Sequence, residues 1–148
     1  MPVDETVINK SIQLMKEHIN RKSARILLNW CKRKYGTSEF YDLGSLRVKM
    51  DESLEYRGQY CHYDNLITLN PRNHRSLISW CNTVIHEYVH FTQDMNRYHT
   101  EYGNRYKSHP FEIKANYLAS RDQLEARNFL ISKLIQKGEY KILKNKAK

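Results

Sequence analysis

The residues best suited to chemistry in this chain of 148 residues lie at 86–90, which read His-Glu-Tyr-Val-His. On an α-helix, side chains four residues apart lie one turn apart on the same face, so His86 and His90 can bind one metal ion. Glu87 lies beside that face, where it can contact a metal-bound water rather than the metal. A shuffled chain of this composition would contain the pattern about 0.02 times. We therefore expect a catalytic Zn²⁺ site with Glu87 as general base.

A catalytic zinc site needs a third protein ligand and an open fourth position, and two downstream residues are candidates. Glu112 falls in the first turn of the last predicted helix, where the helix dipole favours an ionised carboxylate. His109 is the alternative third ligand. Asn116, one turn after Glu112, is expected to hydrogen-bond the far nitrogen of a ligand histidine and to fix its tautomer. Candidate donors to the transition state are Tyr102, Tyr106 and His109.

Hydrophobic periodicity predicts the elements that must position these residues. At the N-terminal end it predicts one helix over 4–20 and a second that is capped by Ser23 and ended by Gly36. Alternating apolar residues then predict a strand over 46–50. Two more strands, 56–63 and 66–69, are expected to form a hairpin through the pair Asp64-Asn65.

The helical period returns over 73–94, so the histidine motif is expected on a helix. Residues 95–109 are polar and aromatic and predict a loop. A long helix is expected to begin at Pro110, with Ser108 or His109 as its cap, and to end near Gly138. This order of elements predicts an α+β fold with N-terminal helices and a small antiparallel sheet.

The net charge of +9 is concentrated at the two ends of the chain. Residues 1–35 hold eight basic and three acidic side chains, and 128–148 hold six and one, whereas 36–127 hold eleven and twelve. This distribution argues against a surface that binds nucleic acid throughout. It leaves non-specific nucleic-acid contact through the basic termini as a candidate interaction.

Composition also bears on compartment and on domain number. The three cysteines are widely spaced and form no Cys-x-x-Cys pair, which is typical of reduced thiols. We see no signal peptide and no apolar run of membrane-spanning length. We expect a cytoplasmic protein with no membrane contact and one domain over 1–148, comprising a basic helical part at 1–35 and a basic tail at 138–148.

The two motifs together resemble the zincin metallopeptidases. His-Glu-x-x-His is followed by 112–119, which read Glu-Ile-Lys-Ala-Asn-Tyr-Leu-Ala and resemble the Glu-x-x-Ala-Asn pattern of the gluzincin-like ImmA/IrrE group. The stretch Ser108-His109-Pro110-Phe111 also resembles, more weakly, the late histidine of SprT-like zincins. The resemblance covers about residues 60–125.

The resemblance implies a minimal zincin domain in which a helix after the motif helix supplies Glu112 as third ligand. It implies that strand 66–69 is the sheet edge over the cleft. It also implies a zinc-dependent endopeptidase that hydrolyses peptide bonds of an intracellular protein, with Glu87 activating the water. Oligomeric state and the particular substrate do not follow from it.

Three alternatives remain open from the sequence. An SprT-like protease would use His109 as ligand and the basic ends to associate with DNA. A catalytically silent zincin-fold binding module would keep the metal without turnover, although Glu87 has no use in such a site. A basic helical protein that binds nucleic acid would hold no metal at all.

Overall fold

The computed structural model describes residues 16–101 and 108–138. Within them the fold is mixed α+β, which confirms the predicted class. The helices are α1 (Arg21–Tyr35), α2 (Leu77–Phe91), α3 (Met95–Glu101) and α4 (Pro110–Gln136), and the strands are β1 (Arg47–Met50), β2 (Gly58–Cys61) and β3 (Leu66–Leu69). Short 3₁₀ turns lie at Leu43–Ser45 and Pro71–Asn73. No helix in these ranges has the length and apolar character needed to cross a membrane.

The sheet has the order β1-β3-β2, so β3 lies in its centre. The predicted antiparallel pairing of β2 with β3 is confirmed, with Tyr60 opposite Ile67. The prediction of a two-residue turn at Asp64-Asn65 was wrong, because the first strand ends at Cys61 and the turn takes the four residues 62–65. The prediction of an antiparallel sheet was wrong for β1, which pairs parallel with β3. Asn65, at φ 48°, explains this pairing: its amide donates to the Asp42 carbonyl at 2.7 Å and to Ser45 Oγ at 3.0 Å. These bonds hold the starts of β1 and β3 side by side.

The expectation that strand 66–69 forms the sheet edge over the cleft was also wrong. That strand is β3, and its two neighbours cover both of its edges. The edge strand that lines the cleft is β2. Gly58 allows β2 to approach α2 closely, since a Cβ at this position would lie 2.6 Å from Thr83 Cγ2 and 3.2 Å from Glu87 Cγ.

Two helix starts differ from the sequence-based prediction. The cap of α1 is Asn20 rather than Ser23, which is the third helical residue and completes a capping box with Asn20. The end at Gly36 is confirmed, with φ 81°. Helix α2 begins after its cap Ser76, later than predicted, because Pro71–Asn73 form a separate 3₁₀ turn.

The predicted loop at 95–109 contains a helix, α3, over its first half. Asp94 starts this helix: its side chain accepts from the Asn96 N–H at 3.2 Å, and its carbonyl accepts from the Arg97 N–H at 3.1 Å. The Met95 N–H is bonded to the Tyr41 hydroxyl at 3.0 Å, which ties α3 to the segment before β1. Helix α4 begins at Pro110 as predicted, with His109 as its cap. Tyr102, Tyr106, most of helix 4–20 and nearly all of the tail 138–148 lie outside the described residues.

Helix α2 is the centre of the fold and contacts α1, α4, β2 and β3. Three buried alanines of α4, Ala115, Ala119 and Ala126, recur at helical spacing, and such small side chains permit close helix packing. Trp80 of α2 is fully buried, and its indole N–H donates to Ser23 Oγ at 2.9 Å. The two histidines of α2 are thus carried by a helix that contacts four other elements of the described fold.

A buried carboxylate joins α1 to α4 and makes stability depend on pH. The Asp122 carboxylate accepts from Arg121 at 2.9 Å and from the Tyr35 hydroxyl at 2.7 Å. The bond from Arg121, together with that from Tyr35, holds the pKa of Asp122 below its usual value. Because the folded pKa is depressed, the stabilisation is present above the unfolded pKa and is lost as pH falls through the folded value.

We expect Asp122→Asn to lower the free energy of unfolding by about 1–2 kcal/mol at pH 7. The difference from wild type should shrink as pH falls below about 3.9, the ordinary aspartate pKa. Glu125→Gln is the matched control, since its exposed pair with Lys34 at 2.9 Å joins the same two helices and should contribute at most about 1 kcal/mol. Urea unfolding between pH 3 and 7 measures both variants. A difference for Asp122→Asn that stays constant over this range would contradict the prediction.

Candidate metal site

Three potential metal ligands converge where α2 meets the start of α4. His86 and His90, one turn apart on α2, place their Nε2 atoms 3.1 Å apart. Glu112, in the first turn of α4, brings Oε1 to 2.7 Å from His90 Nε2 and Oε2 to 3.1 Å from His86 Nε2. The ligand atoms of the three residues all lie within 4.8 Å of one another. One turn of α2 therefore supplies two histidine ligand atoms, and the start of α4 supplies a carboxylate close enough to share one metal ion with them.

The tautomer of His90 is fixed by Gln93. The Gln93 amide nitrogen donates to the Phe111 carbonyl at 3.1 Å, so its oxygen must face the other way, toward His90 Nδ1 at 2.7 Å. An oxygen acceptor at Nδ1 requires a proton there. In the neutral ring, the Nε2 lone pair then points at His86 and Glu112. This is the arrangement in which a neighbouring acceptor orients a ligand histidine.

The cluster therefore brings together atoms that can each donate an electron pair to a cation, namely the two Nε2 atoms and the Glu112 carboxylate oxygens. Glu112 Oε2 is buried and accepts no hydrogen bond, and its near neighbour is His86 Nε2 at 3.1 Å. A buried acceptor without a partner costs roughly 1–3 kcal/mol. A cation in the centre of the cluster would satisfy this oxygen and both Nε2 lone pairs at once.

The electrostatics of the cluster support a cation site. Burial would raise the pKa of Glu112, but its contacts with His86 and His90 lower it to about 2, so the carboxylate is ionised at neutral pH. Burial would lower the pKa of His90, but the hydrogen bond that its protonated ring donates to Glu112 and the charges of Glu87 and Glu112 raise it overall. The site thus already stabilises a positive charge beside Glu112.

The donor set and its spacing fit zinc. Two imidazoles and one carboxylate are the protein ligands of one common type of catalytic zinc site. Ligand atoms at tetrahedral distances from one zinc ion lie about 3.3–3.4 Å apart. The separations of 3.1, 2.7 and 3.1 Å in the cluster reach that spacing by movements of a few tenths of an ångström.

Glu87 lies next to the cluster, on the side of His86. Its Oε1 is 3.8 Å from His86 Nε2, and its residue is 6% exposed. Burial raises the pKa of Glu87, and Glu112 adds to this, while the two histidines and the Tyr60 backbone act in the opposite direction. A raised carboxylate pKa is what a general base working near neutral pH requires.

The cluster opens into a cleft of about 690 Å³. Glu87, His90 and Glu112 form part of its wall, and all of β2 forms another part. The remaining lining is largely aromatic and consists of Tyr56, His62, Tyr63, Met95, Tyr98 and His99. Of the three ligands, His90 and Glu112 line the cleft, so a group that enters it meets these two and Glu87.

His109, the alternative ligand, lies outside the cluster. It is fully buried, with Nδ1 accepting from the Phe111 N–H at 3.1 Å and Nε2 contacting the Tyr98 carbonyl at 3.0 Å. Its ring stacks on Tyr98 at 3.7 Å between centroids. Nδ1 therefore caps the start of α4, and Nε2 joins that start to α3. Because Glu112 lies in the first turn of α4, His109 helps to position it without being a ligand.

The role predicted for Asn116 was wrong. Asn116 is exposed on α4, and among the described residues it makes no hydrogen bond to either histidine. Residues 112 and 116 differ by about 40° around a helix axis. This rotation places Asn116 on the exposed side of α4, whereas Glu112 is buried. Gln93 performs the predicted function instead. Its position three residues after His90 was a signal available in the sequence.

Tyr98 is a second residue that sequence reasoning missed. Its hydroxyl lies 3.4 Å from Glu112 Oε1, and its ring centroid lies 6.2 Å from that of His90. It reaches the site because α3 forms where a loop was predicted. A hydroxyl here can donate to negative charge that develops at the cluster.

Gln93 offers a direct test of the site's support. We expect Gln93→Leu to lower zinc affinity by about 10–100-fold, because His90 loses the acceptor that fixes its tautomer. Asn116→Leu is the control and should change affinity less than about threefold, since this residue is exposed. Competition with a chromophoric chelator at pH 7 measures both. Equal affinities for the two variants would show that Gln93 does not support the site.

Comparison of the chain with models of protein families, with curated proteins and with solved structures found no match. Its function must therefore be inferred from the site itself. The described residues combine three clustered ligands, an adjacent buried carboxylate and an open cleft. This combination suits hydrolysis at a metal ion more closely than it suits a closed structural site, which has four protein ligands.

Proposed function

We propose that this protein is a zinc-dependent metallopeptidase that hydrolyses peptide bonds of a protein substrate. His86, His90 and Glu112 hold the ion, and Glu87 is the general base. The observation that carries the proposal is the convergence of His86 Nε2, His90 Nε2 and the buried Glu112 carboxylate beside a second buried carboxylate. The resemblance of the two motifs to zincins supports the same reaction.

The residues around the ion divide the chemistry among them. A zinc ion held by His86, His90 and Glu112 would lower the pKa of a water at the site to about 7 and would polarise a carbonyl. Glu87 takes the proton of the attacking water and later delivers it to the departing amine. Its raised pKa suits a group that must both accept and return a proton. The Tyr98 hydroxyl is a candidate donor to the oxygen of the scissile carbonyl.

The cleft favours an extended peptide as substrate. Among the described residues β2 pairs with β3 along one edge and has no strand partner on the other, where the Tyr60 backbone already bonds to Glu87. An extended chain can add to such an edge by main-chain hydrogen bonds. The aromatic lining then provides contact for apolar side chains. Cys31, Cys61 and Cys81 are all free, which suits a substrate encountered in a reducing compartment.

The experiment for this proposal is a cleavage assay on the zinc-loaded full chain with reduced β-casein and a mixed peptide library, read by mass spectrometry. We expect cleavage that stops on chelation, returns on adding zinc and is absent from His86→Ala. A zinc-loaded wild type that cleaves neither substrate would favour the silent binding module. Cleavage that persists in His86→Ala would show a contaminating protease.

A further inference from the structure

A second groove, of about 580 Å³, lies on the other side of α2 from the metal cluster. Tyr88 marks its base and lies about 160° around the helix axis from His90. We define the basic groove by its lining. It consists of one face of α1, Leu43 of the first 3₁₀ turn, the start of β1 with Leu46 before it, and Tyr88. Nothing in the proposed peptidase chemistry uses these residues.

The rim of the basic groove is cationic. Arg21, Arg25 and Lys32 follow one another along one face of α1, and Arg47 faces them from β1. All four are exposed, and none of the described residues that line the groove is acidic. None of the four forms an ion pair within the described ranges 16–101 and 108–138. Clustered like charges without partners raise the energy of the free surface, and an anionic ligand would relieve this.

The floor of the basic groove is apolar. It is formed by Leu28, Leu43, Leu46 and Val48, which are each partly exposed while packing against the core. Tyr88, at the base, is fully buried, so no aromatic face is presented for stacking on a nucleotide base. A ligand that fills the groove must therefore offer aliphatic groups as well as negative charge.

β1 gives the basic groove a strand edge that has no strand partner among the described residues. It is the outer strand of the sheet, and the N–H groups of Arg47 and Asp51 turn inward to the Asn65 and Leu69 carbonyls. Because backbone direction alternates along a strand, Val48 turns its N–H and C=O outward. Such an edge can accept a further strand.

We propose that the basic groove binds an extended acidic peptide of a partner protein, in which carboxylates alternate with aliphatic side chains. The carboxylates meet the four cations, the aliphatic groups fill the floor, and the peptide backbone pairs with the outer edge of β1. The apolar floor and the lack of an exposed stacking surface favour this ligand over nucleic acid. The proposal does not depend on the metal site.

The test is fluorescence anisotropy on the full chain with a labelled 12-residue peptide of alternating Glu and Val. A Lys-Val peptide and a 12-nucleotide single strand serve as competing probes. We expect the acidic peptide to bind and the Lys-Val peptide not to bind. Arg25→Glu/Lys32→Glu should weaken the acidic peptide at least about tenfold, and rising salt should weaken it in wild type.

The matched control is Arg75→Glu/Lys114→Glu, which makes the same charge change at exposed positions outside the groove. It should retain binding within about threefold. An acidic peptide N-methylated on alternate residues tests the strand pairing, and we expect it to bind more weakly. Equal loss in both double variants, no binding by wild type, or tighter binding of the oligonucleotide than of the peptide would overturn the proposal.

Discussion

Glu87→Gln is expected to lower the rate of peptide hydrolysis by about 10²–10⁴-fold while leaving about one zinc per chain. Glutamine has nearly the same shape but cannot accept the proton of the attacking water. Glu87 is not one of the three clustered ligands, so its replacement should not release the ion. The measurements are initial rates on a cleavable peptide and zinc content by elemental analysis.

Glu125→Gln is the control for this experiment, because it removes an exposed carboxylate on α4 far along the helix from Glu112. Its rate should equal that of wild type. If Glu87→Gln and Glu125→Gln hydrolyse the peptide equally well, Glu87 is not the general base. If Glu87→Gln loses zinc, its carboxylate is a ligand rather than a base.

Glu112→Gln is expected to lower zinc affinity by more than about 100-fold and to abolish hydrolysis. The Glu112 carboxylate, with its pKa of about 2, is the negative charge of the cluster. An amide oxygen supplies no such charge, and two imidazoles alone form an incomplete site. Zinc per chain after dialysis against a weak chelator measures the effect.

His109→Asn is the comparison that separates the two candidate ligands. Asparagine is a favourable helix cap, so it should preserve the start of α4, and we expect zinc content to stay near that of wild type. The opposite result, with zinc lost in His109→Asn and kept in Glu112→Gln, would favour an SprT-like site. Circular dichroism of both variants verifies that α4 is intact.

The local part of the site was predictable from the sequence, because it depends on helix spacing alone. His86 and His90 share a face of α2 for the same reason that any residues four apart do. The start of α4 was likewise predictable, since Pro110 is typical of a first helical position. These two local features are enough to predict Glu112, in the first turn of α4, as a candidate third ligand.

Features set by tertiary contacts were not predictable in the same way. The parallel pairing of β1 depends on Asn65, whose side chain reaches back about twenty residues to Asp42 and Ser45. Helix α3 lacks a clear apolar stripe, so its polar sequence predicted a loop. The Asp94 carboxylate and the Tyr41 hydroxyl accept from N–H groups at the start of the helix. The helix then places Tyr98 at the site.

The burial of α4 shows why one residue role was assigned wrongly. Its buried positions are Glu112, Ala115, Ala119, Asp122, Ala126, Leu130 and Leu134. Their spacing of three and four residues defines a narrow stripe, and Asn116 lies just beside it. The spacing of four residues predicted that Asn116 lies on the same face as Glu112. Packing against α2 buries only the stripe, so Asn116 stays exposed.

The most direct test of the account is the zinc X-ray absorption spectrum of the full chain loaded with one equivalent of zinc. We expect about four nitrogen or oxygen ligands near 2.0–2.1 Å, with the scattering pattern of two imidazoles. At the same loading, the spectrum of Glu112→Gln should differ from that of wild type. The spectrum of His109→Asn should match it. A sulfur ligand near 2.3 Å, or a wild-type spectrum without imidazole scattering, would contradict the site proposed here.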